Sequence, residues 1–171
     1  MDWWEKAKEI YGIDEEKIER MASVSVAEGG RIQLPDVGEE LLVYITRNPV
    51  EVEAEKLKER GIEMAMFARC RKVEFENGEV VVGNVEYDLP MSKTMAMTAV
   101  ASLKRHNVDK PDLEGKVFLI TAREWRDAPE EYKKGKGRVK TYVMSYKPEL
   151  TEKARKVVEA EEEIFEEEIR L

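Results

Sequence analysis

Asn77-Gly78 lies between two β-rich runs and constrains the fold of this chain more than any other pair of residues. A tight type I′ turn needs positive φ at both central positions, which Asn and Gly adopt at low cost. The flanking runs, Ile62 to Phe75 and Glu79 to Leu89, are rich in β-formers, so Glu76-Asn77-Gly78 predicts an antiparallel hairpin. Ser92 to His106 then switches to helical spacing. Lys116 to Trp125 and Arg138 to Lys147 return to strand character, and Glu40 to Arg47 supplies one strand before the hairpin. The predicted order is strand, strand, strand, helix, strand, strand.

Three segments extend this pattern. Arg31-Ile32-Gln33-Leu34-Pro35-Asp36-Val37-Gly38-Glu39-Glu40 leads into the first strand, Asp88-Leu89-Pro90-Met91-Ser92-Lys93 opens the helix, and Leu113-Glu114-Gly115-Lys116 opens the fourth strand. With the element order, they make residues 24–148 resemble OB-fold single-stranded nucleic-acid-binding proteins. The resemblance implies an α+β chain, mainly β, with an OB-like five-stranded barrel. It also implies two ligand-facing connections, between strands one and two and between strands four and five. OB-folds host many functions, so the residues must argue the rest.

A chain of 171 residues suits one domain with appendages. The reading divides it into a helical extension over 1–22, an OB-like domain over 23–148 and an acidic helix or tail over 149–171. Met1-Asp2-Trp3-Trp4-Glu5 lacks the basic and apolar regions of a secretory signal, and no run is long enough to span a bilayer. The single cysteine, Cys70, excludes intrachain disulfides and points to the cytoplasm. Charged residues reach 39%, a composition resembling hyperthermophile proteins. The net charge of −8 argues at first against nucleic acid, but its distribution reverses that argument. Residues 62–148 hold 16 Lys and Arg against 13 Asp and Glu, whereas 1–61 hold 9 against 15 and 149–171 hold 4 against 9. A mildly basic centre lies between acidic flanks.

At the N-terminus, Trp3, Trp4, Ala7, Ile10 and Tyr11 recur at helical spacing, Gly12 stops that helix, and Asp14 caps a second. Ala22 to Leu34 reads as a hairpin around Glu28-Gly29-Gly30, and Asn48-Pro49 as the end of the first strand. Thr151 caps a C-terminal helix in which seven of the ten residues 159–168 are glutamate.

No catalytic or metal-ligating constellation emerges, and no cofactor is expected. His106 is the only histidine, and neither a phosphate-loop nor a dinucleotide glycine pattern occurs. The alternating faces are more informative. Cys70 shares a face of the second strand with Met64, Met66 and Ala68, an apolar core face. Phe67, Arg69 and Arg71 share the other, where they either stack bases and pair phosphates or form cross-strand ion pairs with acids such as Glu86. Phe118, Ile120 and Ala122 mark the core face of the fourth strand, which sends Thr121, Arg123 and Trp125 outward. In the fifth strand, Arg138, Lys140, Tyr142 and Tyr146 share one face and Val139, Thr141 and Val143 the other. Between those strands, Tyr132, Lys133, Lys134, Lys136 and Arg138 form a basic, glycine-punctuated loop suited to tracking a phosphate backbone.

The expected function is therefore non-enzymatic binding of single-stranded nucleic acid, with DNA favoured over RNA. The expected contacts are Phe67, Arg69, Arg71, Arg123, Trp125, Tyr132, Lys133, Lys134, Lys136, Arg138, Lys140 and Tyr142. The alternative is a protein-interaction or oligomerisation module without nucleic-acid binding, in which the tryptophans and the C-terminal helix bury against a partner protein or a second copy. Neither reading involves a membrane.

Overall fold

The computed structural model describes residues 3–12, 14, 27–52, 65–124 and 140–170. The chain is α+β, with the elements α1 (Trp3–Tyr11), β1 (Glu40–Val52), β2 (Ala65–Glu76), β3 (Glu79–Met91), α2 (Lys93–Arg105), β4 (Val117–Glu124), β5 (Lys140–Tyr146) and α3 (Pro148–Arg170). The strands form one five-stranded sheet in the order β3-β2-β1-β4-β5, every ladder antiparallel. Asn77 and Gly78 hold φ of 53° and 82° between the paired Glu76 and Glu79, the turn their sequence predicts.

Period-two alternation buries both faces of this sheet. On the inner face Val43, Ile45, Ala68, Cys70, Leu89, Phe118, Ile120 and Met144 pack against Met95, Ala99 and Leu103 of α2. Tyr44, Val73, Val82 and Val117 face outward onto Ala154 of α3. α2 begins where Ser92 caps it by accepting from Met95 N at 3.2 Å. α3 begins one turn earlier than its threonine suggests, with Pro148 in its first turn, where a missing N–H costs nothing. Thr151 lies inside the helix. Its buried hydroxyl accepts from Val117 N at 2.9 Å and donates to Lys147 O at 2.8 Å, riveting α3 to β4.

The sheet is not closed into a barrel. A parallel ladder between β3 and β5 would need both of their outer edges, and each edge is already engaged. On β5, Met144 N donates to Thr98 Oγ1 at 3.0 Å and Tyr146 N to Ser102 Oγ at 2.8 Å. Two hydroxyls one helical turn apart on α2 thus satisfy amides that a neighbouring strand would otherwise take. On β3, Gly29 N donates to Glu86 O at 2.9 Å and Ile32 N to Asp88 O at 2.9 Å, while Asp88 N donates to Gly30 O at 2.8 Å. Gly29 is required by this contact, since a Cβ there would meet the Tyr87 ring at 2.5 Å. Of the expected hairpin around Glu28-Gly29-Gly30, the turn is present, Gly30 N donating to Ala27 O at 2.8 Å, and the residues that follow pair with β3, Arg31 forming a parallel bridge to Asp88; its first arm lies outside the described residues.

Two further expectations are corrected. β1 continues past Asn48-Pro49 to Val52, because register shifts before and after Arg47 create an irregularity that tolerates proline. The faces of β5 are reversed: Met144 is buried with Tyr142 and Tyr146 packed on the same core, leaving Thr141 and Val143 on the outer side. At the N-terminus α1 ends at Gly12, whose φ is +62°. The second helix expected from Asp14, the Lys/Gly loop and Trp125 lie outside the described residues.

Ser102→Ala removes the acceptor for Tyr146 N and leaves a part-buried amide without its protein partner. It should cost about 1–3 kcal/mol in denaturant unfolding, with an unchanged m-value.

Candidate nucleic-acid interface

The outer face of β2 carries the first group of expected contacts, but it is not a solvated face. Phe67 is 9% exposed, with the Arg31 guanidinium 5.1 Å from its ring centroid. Arg69 retains 18% side-chain exposure and lies between two acids of β3, 3.6 Å from Glu86 Oε1 and 3.5 Å from Asp88 Oδ1. Arg71 pairs with Glu161 of α3 at 2.9 Å and its Nε donates to Gly83 O. Of the two readings open for this face, the cross-strand ion pairs are present. The reason is register: Arg69 and Arg71 stand opposite Asp88 and Glu86.

A fourth arginine joins them. Arg47 stands opposite Arg69, and its Nη2 donates to Phe67 O at 3.3 Å. Strict alternation from Ile45 would send Arg47 into the core. The bulge at Thr46 turns it outward instead, and Thr46 Oγ1 is free to donate to Glu86 Oε2 at 2.9 Å. Burial first, and then the neighbouring Arg69, pull the Arg47 guanidinium below its usual range against the opposing pull of Asp88 and Glu86. Guanidinium groups stay charged through such shifts, so Arg47 is a partly buried cation among Arg69, Asp88 and Glu86.

The second group sits on β4 and β5. Arg123 is exposed opposite Thr141, and Lys140 is exposed at the start of β5. The Lys140 ammonium bonds Asp36, and that hydrogen bond raises its pKa. Tyr142 is half-buried on the inner side. Trp125, Tyr132, Lys133, Lys134, Lys136 and Arg138 lie outside the described residues.

One irregular stretch of chain links the two groups. Arg31 touches Phe67 while Asp36, five residues later, touches Lys140. Five residues reach at most about 18 Å when fully extended, so this stretch fixes an upper limit on the separation. Within that span lies a cleft of about 500 Å³ whose lining includes Leu34, Met66, Pro90, Met91, Lys93 and Tyr142. Met66 is the strand neighbour of Phe67, and Tyr142 follows Lys140 by two. The cleft is therefore apolar inside, with cations beside it and an aromatic residue on its wall. Arg31 and Arg47 join this surface without having been expected there, since Arg31 lies in an irregular lead-in and the outward turn of Arg47 depends on a bulge.

Other chemistry is sparse among the described residues. No group of three or more His, Cys, Asp or Glu could hold a metal ion there, and no helix there is long and apolar enough to cross a membrane. His106 Nδ1 lies 2.9 Å from Ser102 O, so that nitrogen carries the donated proton, and the ring meets Tyr146 edge-on at 5.5 Å. Cys70 is fully buried, and burial pushes its thiol up to about 12 from an ordinary value near 9. Compared with family models, curated proteins and solved structures, the chain has no match.

Cys70 generates a pH prediction. Because its folded-state pKa is raised, stability from the neutral thiol is complete below about pH 9. It declines as pH rises toward 12, by up to about 1.4 kcal/mol per unit. In Cys70→Val that part of the alkaline slope of unfolding free energy should vanish. In the native wild type, a thiol reagent should react at neutral pH only at the rate of opening.

Proposed function

We propose that this chain is a cytoplasmic, non-enzymatic binder of single-stranded nucleic acid, DNA in preference to RNA, built on an OB-like arrangement. The observation that carries the reading is the cleft between β2, β3 and β5, with Tyr142 on its wall and the Arg31–Phe67 pair beyond Met66. A base seats edge-first in an apolar cleft and stacks on a tyrosine face. An exposed guanidinium lying over a phenylalanine ring offers a second flat cation for stacking. The backbone would run past Lys93, Arg123 and Lys140, with Arg47 and Arg69 contributing longer-range positive potential. The Lys/Gly-rich sequence between β4 and β5, with Trp125, Tyr132, Lys133, Lys134, Lys136 and Arg138, would add further cations and rings to that contact.

Support for an OB-like architecture is the order β3-β2-β1-β4-β5 with a helix between β3 and β4. On this reading, residues 29–36 take the place of the missing β3–β5 pairing, and the strand binds beside that seam. Several cations already have carboxylate partners: Lys140 has Asp36, and Arg69 has Glu86 and Asp88. A phosphate must displace or share those partners, which predicts modest affinity and a strong response to salt.

Titration of tryptophan fluorescence with oligo-dT and oligo-rU at two salt concentrations tests this. Affinity should fall as salt rises, and Tyr142→Leu should weaken binding by about 1–3 kcal/mol in a protein whose far-UV spectrum shows the fold retained. Replacing Lys133, Lys134 and Lys136 with alanine should reduce the slope of log K against log salt by up to about 0.7 per lost contact. No binding at low salt would overturn the proposal.

A further inference from the structure

The core does not account for one face of α2. Met97 is 62% exposed and Ala101 is exposed, and with Ala96, Val100 and Lys104 they line a shallow hollow of about 450 Å³ on the side away from the sheet. Arg105, also exposed, follows Lys104 at the end of the helix. The hollow is an apolar strip with cations at one end.

A second surface of opposite charge lies on α3. That helix has 23 residues, about 34 Å, and its two halves differ. Thr151 and Ala154 are buried and Val157 and Val158 half-buried against the sheet, so the first half is fixed. Past the Glu161–Arg71 ion pair, Glu162 and Glu163 are exposed and Ile164 is 58% exposed. In sequence this half continues Phe165-Glu166-Glu167-Glu168-Ile169, branched and aromatic apolar residues among glutamates.

We propose that the acidic half of α3 from one copy docks on the α2 hollow of a second copy, making the protein self-associate. Two features commit the site to this occupant. The charges are complementary, Lys104 and Arg105 against Glu162 and Glu163, so the contact is attractive where most pairings of an acidic chain with itself are repulsive. The chemistry also fits: the hollow is lined by Met97, Val100 and Ala101, and Ile164 is an exposed apolar residue beside the acids of α3. In one copy both Met97 and Ile164 remain exposed, so the two surfaces do not cover each other. The contact joins two different patches. It closes into a dimer if each copy gives one helix and receives the other, and otherwise continues into longer assemblies.

Sedimentation velocity and light scattering of the full chain, without nucleic acid, between about 1 and 200 µM test the proposal. The expected result is a mass that rises with concentration and falls back as salt is added. Met97→Glu on α2 and Ile164→Glu on α3 each substitute an exposed position and should keep the far-UV spectrum and melting temperature. Each should shift the midpoint of association at least tenfold higher. Lys104→Glu should do the same, and adding Glu163→Lys should restore part of the loss. A monomer at every concentration in low salt would overturn the proposal and leave both surfaces to a partner of another sequence. Association unaffected by both exposed-site variants would overturn it equally.

Discussion

Two hydroxyls on one helix decide the shape of this protein. Thr98 and Ser102 accept the amides of Met144 and Tyr146, so α2 occupies the edge of β5 that another strand could have used. An unpaired strand edge is a liability, and a helix bearing small hydroxyl residues at a spacing of four covers it without adding a strand. The same stripe ends at His106, whose ring sits edge-on to Tyr146. Because α2 grips β5 from the side, β5 cannot reach β3. The gap between them is spanned instead by the irregular chain from Gly29 to Asp36. The cleft beside Tyr142 is a consequence of that arrangement.

Charge on the sheet is arranged by register as much as by composition. Arg69 and Arg71 stand across from Asp88 and Glu86, so the cations that composition offers as ligand contacts are held first by the protein's own acids. Glu161 extends the pattern from a different element and ties α3 across β2. A surface balanced in this way favours binding that competes with internal ion pairs, and such binding is sensitive to ionic strength. Among the exposed cations, Lys93 lines the cleft, and Lys140 stands two residues before Tyr142 on its wall.

Much of this was legible in the residues. Asn77-Gly78 specified the hairpin, Ser92 the start of α2, and the apolar alternation of Phe118, Ile120 and Ala122 the inner face of β4. Each depends on local geometry that a short stretch of chain controls. What was not legible depends on distant partners. Tyr142, Met144 and Tyr146 compete with Thr141 and Val143 for the core, and both sets are amphipathic enough to face either way. α2 settles the choice, since its hydroxyls take the even-numbered amides of β5. Arg47 faces outward only because of the bulge at Thr46, and Pro49 is tolerated in β1 only because of the irregularity beside it. The parallel contact of residues 29–32 with β3 joins positions nearly sixty residues apart in sequence and has no local signature.

The proposed binding mode puts a single strand in the cleft between β2 and β5. Ultraviolet crosslinking of an oligo-dT strand, followed by peptide mass mapping, tests this most directly. The account predicts thymine adducts on Tyr142 together with adducts on the peptide containing Met66 and Phe67, both lost at high salt. Adducts confined to other surfaces, with Tyr142 unmodified under saturating oligonucleotide, would contradict it.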